Sequence, residues 1–322
     1  MAHIWPIGGG KGGSGKSFLA GNLGVWLAKQ GKQTLLMDAD FGGANIHTMV
    51  GVPYQEKGLA DFLNKRVPLL SDTVIQTGTP NLYLISGGEN NLDVANMAYE
   101  QKMKILRAIA KLSYDYIVLD LGAGTSFNTI DFFLIADTGI FVTTSEPTSI
   151  ENVYRLIRAV YMRKIRQFLK ANHLHTLLAK AEEKGPGGRS HKPESLIPLM
   201  KDLDPENGKR VEEALRASQF RLVLNQFRKQ DHPKMGVLIC RIIEKHLGLP
   251  IKFIGNIAFD DLVREAICQK VPFLDRYPHT QAAVDLKRLS QQILETRGNG
   301  EAHASLVEDS GKREEKEGKN GG

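Results

Sequence analysis

The sequence predicts an α/β protein, a doubly wound, mostly parallel sheet with helices on both faces. Three observations predict it. Short apolar runs alternate with stretches of helical periodicity along most of the 322 residues. Several of those runs are apolar throughout rather than alternating, as in parallel strands covered on both sides. The first run leads straight into a glycine-rich loop and then into a helical stretch, the order in which a phosphate-binding unit is built.

Ile4, Trp5 and Ile7 mark the first strand, 4–7. Pro6 within it lacks an N–H and predicts a local irregularity. Helix 16–29 follows, with Phe18, Leu19, Leu23, Val25, Trp26 and Leu27 as its apolar residues. Further strands are read at 34–37, 82–85, 116–119, 140–143, 220–224 and 253–257, and further helices at 97–112, 148–170, 233–247, 259–269 and 280–296. The last helix repeats Ala283, Leu286, Leu289 and Ile293, a spacing that packs one face into a core. Two segments break the rhythm. Residues 171–217 are rich in charge, hold Gly185-Pro186-Gly187-Gly188 and carry two modest helical patterns, so they read as a helical insertion. Residues 298–322 are polar and glycine-rich, with too few large apolar residues to order themselves. The expected organisation is one domain over 1–297, with 171–217 inserted in it, and a disordered polar tail over 298–322.

A hydrophobic content of 42% supports a large core, and no apolar run is long enough to span a bilayer. The first residues lack the charged and apolar regions of a secretory signal. Cys240 and Cys268 stand far apart without a C-x-x-C. That spacing argues against a disulfide framework or a cysteine zinc site and points to a reducing cytoplasm. The net charge of +6 permits an acidic partner without requiring one.

The chemistry concentrates in Gly10-Lys11-Gly12-Gly13-Ser14-Gly15-Lys16-Ser17, which fits G-x-x-x-x-G-K-[ST] and adds a second lysine, Lys11. Its glycines let backbone N–H groups point at a polyphosphate. Lys16 can reach the β- and γ-phosphates, and Ser17 can ligate Mg²⁺. Asp38-Ala39-Asp40 closes the second strand and Asp120-Leu121-Gly122-Ala123-Gly124 the fourth. Both acids would lie at strand carboxyl ends beside the loop. Asp120 suits a metal-supporting role, and Asp40, followed by Phe41-Gly42-Gly43, suits orientation of an attacking water. Ser17, Asp40 and Asp120 are the candidate magnesium residues. Asn225 ends the sixth strand and either pairs with an adenine edge or caps a turn. Helix 148–170 carries Arg155, Arg158, Arg163, Lys164, Arg166 and Lys170. A solvated face is the favoured reading and a nucleic-acid or lipid surface the less favoured one. His173-Leu174-His175 has no third ligand nearby and reads as a surface feature.

Lys11 with Gly12-Gly13-x-Gly15-Lys16-Ser17 resembles the deviant Walker A motif of the MinD/ParA ATPases. Similar stretches follow at Leu35-Leu36-Met37-Asp38-Ala39-Asp40, Gly58-Leu59-Ala60-Asp61-Phe62-Leu63, Asp115–Gly124, Glu146-Pro147-Thr148-Ser149-Ile150 and Gly255-Asn256-Ile257-Ala258-Phe259-Asp260. The resemblance covers about residues 2–165 and 219–296. Gly122 in Asp120-Leu-Gly-Ala-Gly, with Glu146-Pro147-Thr148-Ser149, looks most like the flagellar-number regulator branch (FlhG/FleN). Ser14 departs from the family's usual apolar residue or Thr.

The resemblance implies a P-loop NTPase fold and a nucleotide switch using ATP and Mg²⁺. Two subunits would close as a homodimer around two ATP molecules, with Lys11 reaching the partner's phosphates. Lys16 and Ser17 would hold the phosphates and metal of their own subunit, Asp40 would orient water, Asp120 would support the metal, and Asn225 would contact adenine. Hydrolysis would be slow and stimulated by an activating or cargo protein, for which the 171–217 insertion is the candidate site. The switch would position, or set the number of, a cellular structure such as a flagellum or division site, from the cytoplasm or peripherally at a membrane, pole or nucleoid. The alternatives are a metallocluster-assembly or electron-transfer ATPase, and a ligase of the dethiobiotin-synthetase type.

Overall fold

The computed structural model describes residues 2–40, 43, 45–55, 57–87, 99–124, 127–184 and 196–295. Eight strands form one sheet: β1 (His3–Gly8), β2 (Thr34–Ala39), β3 (Ile75–Gln76), β4 (Leu82–Ile85), β5 (Tyr116–Leu121), β6 (Thr138–Thr143), β7 (Gln219–Phe227) and β8 (Ile251–Ala258). Their order is β3-β4-β2-β5-β1-β6-β7-β8. Every pairing is parallel except β3 with β4. The continuous apolar runs explain this arrangement. Leu35, Leu36, Met37, Ile117, Val118 and Leu119 are all buried, because helices cover both faces.

The helices are α1 (Lys16–Lys29), α2 (Ile46–Met49), α3 (Leu59–Leu63), α4 (Tyr99–Ile109), α5 (Phe127–Phe132), α6 (Pro147–Ala171), α7 (His175–Lys184), α8 (Leu196–Leu203), α9 (Pro205–Arg216), α10 (Met235–Leu247), α11 (Leu262–Gln269), α12 (Phe273–Arg276) and α13 (Gln281–Glu295). On one face Trp5 and Ile7 pack with Leu19, Leu23 and Leu27 of α1 and with Leu286, Leu289 and Ile293 of α13. On the other, Phe141, Leu222 and Leu224 meet Val153 and Ile157 of α6 and Ile239 and Ile243 of α10. Phe133 stacks on Phe141 at 4.6 Å and anchors this second core.

Strand β3 and the short helices α2, α3, α5 and α12 were not predicted, since elements this short carry no periodicity to read. Pro6 does produce an irregularity. The β1–β5 register runs unbroken from His3 to Ile7, whereas β1 pairs with β6 only at Ile7 and Gly8. Ile4 N–H, on the β6 side, is taken instead by the Asp137 carboxylate at 2.8 Å.

Between α6 and β7 three helices stand among the described residues, where two helical patterns were predicted. Leu196 and Met200 of α8 and Val211 and Leu215 of α9 are buried in the same core as α6. Asp204 caps α9 by accepting from Asn207 N–H at 3.0 Å. The glycine-rich stretch 185–188 and the tail 298–322 lie outside the described residues.

Candidate functional site

The loop after β1 opens at the carboxyl edge of the sheet, where the chain runs to β2 on one side and β6 lies on the other, the usual ligand crevice of a doubly wound sheet. Helix α1 begins at Lys16, so its free N–H groups and partial positive charge face the loop. Gly15 adopts φ +89°, and a Cβ there would fall 1.9 Å from Asn225 Nδ2, so only glycine fits. Lys16 is buried at the start of α1, directly after the bend and turn of Gly10, Lys11, Gly12, Gly13, Ser14 and Gly15, and Ser17 follows it in the helix.

Register brings the acids together. Asp38 of β2 sits opposite Asp120 of β5, and Ile7 of β1 is Asp120's neighbour on the other side. Asp120 is 1% exposed, and neither of its carboxylate oxygens meets a hydrogen-bond partner. Burial, and then the charge of Asp38, raise its pKa above the usual carboxylate range. The nearby Ser17 hydroxyl and Lys16 ammonium oppose the rise without closing a well-formed hydrogen bond. A buried carboxylate in want of partners beside a hydroxyl and a loop of N–H groups fits a divalent cation held with a polyphosphate.

Asp38 was not among the predicted site residues. It accepts the N–H of Asp40 and of Ile46, each at 3.1 Å, and so ties down both ends of the segment that carries Asp40. Its pKa is also raised, first by burial. Its place two residues before Asp40 at a strand end was the available signal. Asp40 itself is half-buried, and a Cβ on Gly122 would come 3.1 Å from its Oδ1. The absence of a side chain at residue 122 therefore makes room for the Asp40 carboxylate.

Lys11 is exposed at the mouth of the loop, and its ammonium donates to Glu146 Oε2 at 2.8 Å. Glu146 precedes α6. Asn225 Nδ2 donates to the Ser14 carbonyl at 3.0 Å. One amide hydrogen is thereby committed to the loop. Gln226, absent from the predicted residues, donates from Nε2 to the Gly13 carbonyl at 2.8 Å. No sequence signal marked it.

Helix α6 spends part of its basic charge internally. Arg163 binds Asp131, and the Lys164 ammonium lies 5.3 Å from the Phe220 ring centroid. Arg155, Arg158, Arg166 and Lys170 face solvent, Arg155 beside Glu151. His173 and His175 are exposed, with rings 6.4 Å apart. Among the described residues no helix is long and apolar enough to cross a membrane.

Comparison with known proteins agrees with this geometry. The CobQ/CobB/MinD/ParA nucleotide binding domain matches residues 6–273. The antiactivator FleN of Pseudomonas aeruginosa is 22% identical over 90% of this chain and 86% of its own length. A putative septum site-determining protein MinD from Guillardia theta is 32% identical over 57% of this chain and 68% of its own. Among solved structures, the septum site-determining protein MinD from Pyrococcus horikoshii, complexed with Mg-ADP, superposes with a TM-score of 0.62 at 19% identity, covering 92% of this chain and 98% of its own.

Proposed function

Because the chain belongs to the CobQ/CobB/MinD/ParA nucleotide-binding family, we propose that it is an ATP-hydrolysing switch that dimerises on ATP and positions, or sets the number of, a cellular structure. The observation that carries this reading is the pairing of two lysines on one loop. Lys16 is buried at the base, where it would bind the phosphates of its own subunit, and Lys11 is exposed at the mouth, where it can reach a second copy.

Mg²⁺ would be held by Ser17 with Asp120 behind it, and would neutralise charge on the β- and γ-phosphates. The chain's own residues do the rest. Loop N–H groups and Lys16 bind phosphate, Asp40 orients water, and Asp38 keeps the Asp40 segment in place. Lys11 from the partner copy would stabilise charge in the transition state; a cation supplied in trans is worth about 10³–10⁵ in rate in other phosphoryl-transfer systems. Asn225 would present Oδ1 to adenine.

FleN and MinD relatives support a positioning or regulatory role for the switch, and no specific observation favours a metallocluster or ligase role. An activating or cargo protein would dock through the helices of 171–217. The deciding experiment is Lys11→Ala. It should bind ATP as the parent does and lose stimulated hydrolysis; unchanged turnover would overturn the trans role. Pull-down with Asp40→Ala, with and without 171–217, would identify the partner and test the insertion.

A further inference from the structure

We propose that Asn225 and Gln226 form a clasp that fixes the shape of the phosphate loop, with Gln226 as a positioning residue for nucleotide binding. The inference rests on the nucleotide-binding reading above and adds a residue to it.

Side chains of consecutive strand residues point to opposite faces. Asn225 and Gln226 are consecutive in β7, yet both amides reach the same loop, on the adjacent carbonyls of Ser14 and Gly13. The backbone shows how. Against β8, Leu224 pairs with Asn256 and Phe227 with Ala258, so three steps of β7 match two of β8. The surplus residue is a bulge, and Gln226 within it adopts φ +56°, a left-handed conformation costly for a side chain of this kind. The bulge swings Gln226 round to join Asn225. The Phe227 carbonyl then resumes regular contact, accepting from Phe259 N–H at 2.9 Å.

The strain has a local return. A peptide whose carbonyl is held outward presents its N–H inward. Two clasped carbonyls in succession fix the Gly13–Ser14–Gly15 peptides, where glycine φ values of +78° and +89° leave the backbone otherwise free to turn. Orienting the N–H donors before the ligand arrives lowers the cost of binding a polyphosphate. Gly15 completes the fit, since any side chain there would occupy the position of the Asn225 amide.

Two substitutions separate the clasp from simple strand stability. Gln226→Glu keeps the shape and removes the donor. Gln226→Gly removes the donor and relieves the positive φ, so it should not lower the melting midpoint. Both should weaken Mg-ADP binding about tenfold by calorimetry, the loss of one well-placed hydrogen bond. Both should also speed hydrogen exchange at 13–15 while exchange in β5 stays unchanged. Gln226→Asn, one methylene shorter, should recover little affinity. The clasp is overturned if Gln226→Glu and Gln226→Gly bind Mg-ADP within twofold of the parent. If the parent itself fails to bind Mg-ADP, the nucleotide reading fails instead, and the two failures are distinct.

Discussion

The ammonium of Lys11 is held 2.8 Å from the Glu146 carboxylate of the same chain. A lysine proposed to reach a second copy is thus first engaged within its own chain. Both side chains are about half exposed or more, 46% and 60%. Such a pair contributes at most about 1 kcal/mol and is weakened by salt, so it restrains Lys11 without trapping it. Glu146→Gln should leave the melting midpoint nearly unchanged. It should lower the protein concentration at which Mg-ATP drives dimer formation in sedimentation. Equal dimerisation of parent and variant would show that the pair has no influence on assembly.

Asp120, with Asp38 opposite it, makes the ligand-free protein sensitive to pH. Its pKa is raised by burial, above the value of about 3.9 of an unfolded chain. The folded form thus holds the proton more tightly, so its contribution to stability is full below pH about 4 and is lost as pH rises through the raised folded value. Asp120→Asn keeps the shape without the charge. It should stabilise the ligand-free protein at pH 8 by on the order of 1–3 kcal/mol in urea unfolding and flatten the decline with pH. It should also remove the extra stabilisation that Mg²⁺ adds to ADP. A variant less stable than the parent at pH 8 would contradict the assignment.

The parts legible in the sequence were those where one physical requirement dominates a stretch of chain. Strand β4 and helix α1 fall on the predicted residues because burial alone dictates their composition. The loop was legible because phosphate needs glycine and lysine at fixed spacing. The roles of Asp38 and Gln226 were not, because each depends on a relation between elements. Asp38 matters through N–H groups two and eight residues on, and Gln226 through a bulge visible only once β8 is in register. Arg163 and Lys164 read as surface charge because periodicity marks a polar face without saying which polar groups find buried partners.

Gly122 is expected to matter for chemistry more than for binding. A methyl group there would press on Asp40 Oδ1 at 3.1 Å and Cγ at 3.3 Å. Those atoms can yield a few tenths of an ångström, so the fold should tolerate Gly122→Ala. If Asp40 orients water as proposed, a shift of that size should reduce turnover about tenfold or more, with Kd for ATP within twofold of the parent. Single-turnover kinetics beside equilibrium binding would separate the two effects. Parallel losses in binding and turnover would instead mean that the loop as a whole had moved.

Helices α4, α5 and α6 meet at Asp131 of α5. Its carboxylate accepts from Lys102 of α4 at 2.7 Å and from Arg163 of α6 at 2.7 and 3.3 Å. Lys102 and Asp131 are nearly inaccessible, with side chains 7% and 4% exposed. Removing one member of a buried pair strands the other, at a cost of about 3–5 kcal/mol. Asp131→Ala should therefore destabilise by that amount in urea unfolding. Lys102→Met combined with Asp131→Leu should cost less, because neither of the two buried charges is stranded and only Arg163, with its side chain 34% exposed, loses its partner. Helix α5 follows the Asp120–Gly124 strand end and α6 follows Glu146, so the triad also joins the two segments beside the nucleotide loop. The double variant should stay folded with only a modest loss of stability and yet lose ATP-dependent dimerisation if that junction transmits the nucleotide state. Dimerisation at the parent's concentration would confine the triad to holding the fold.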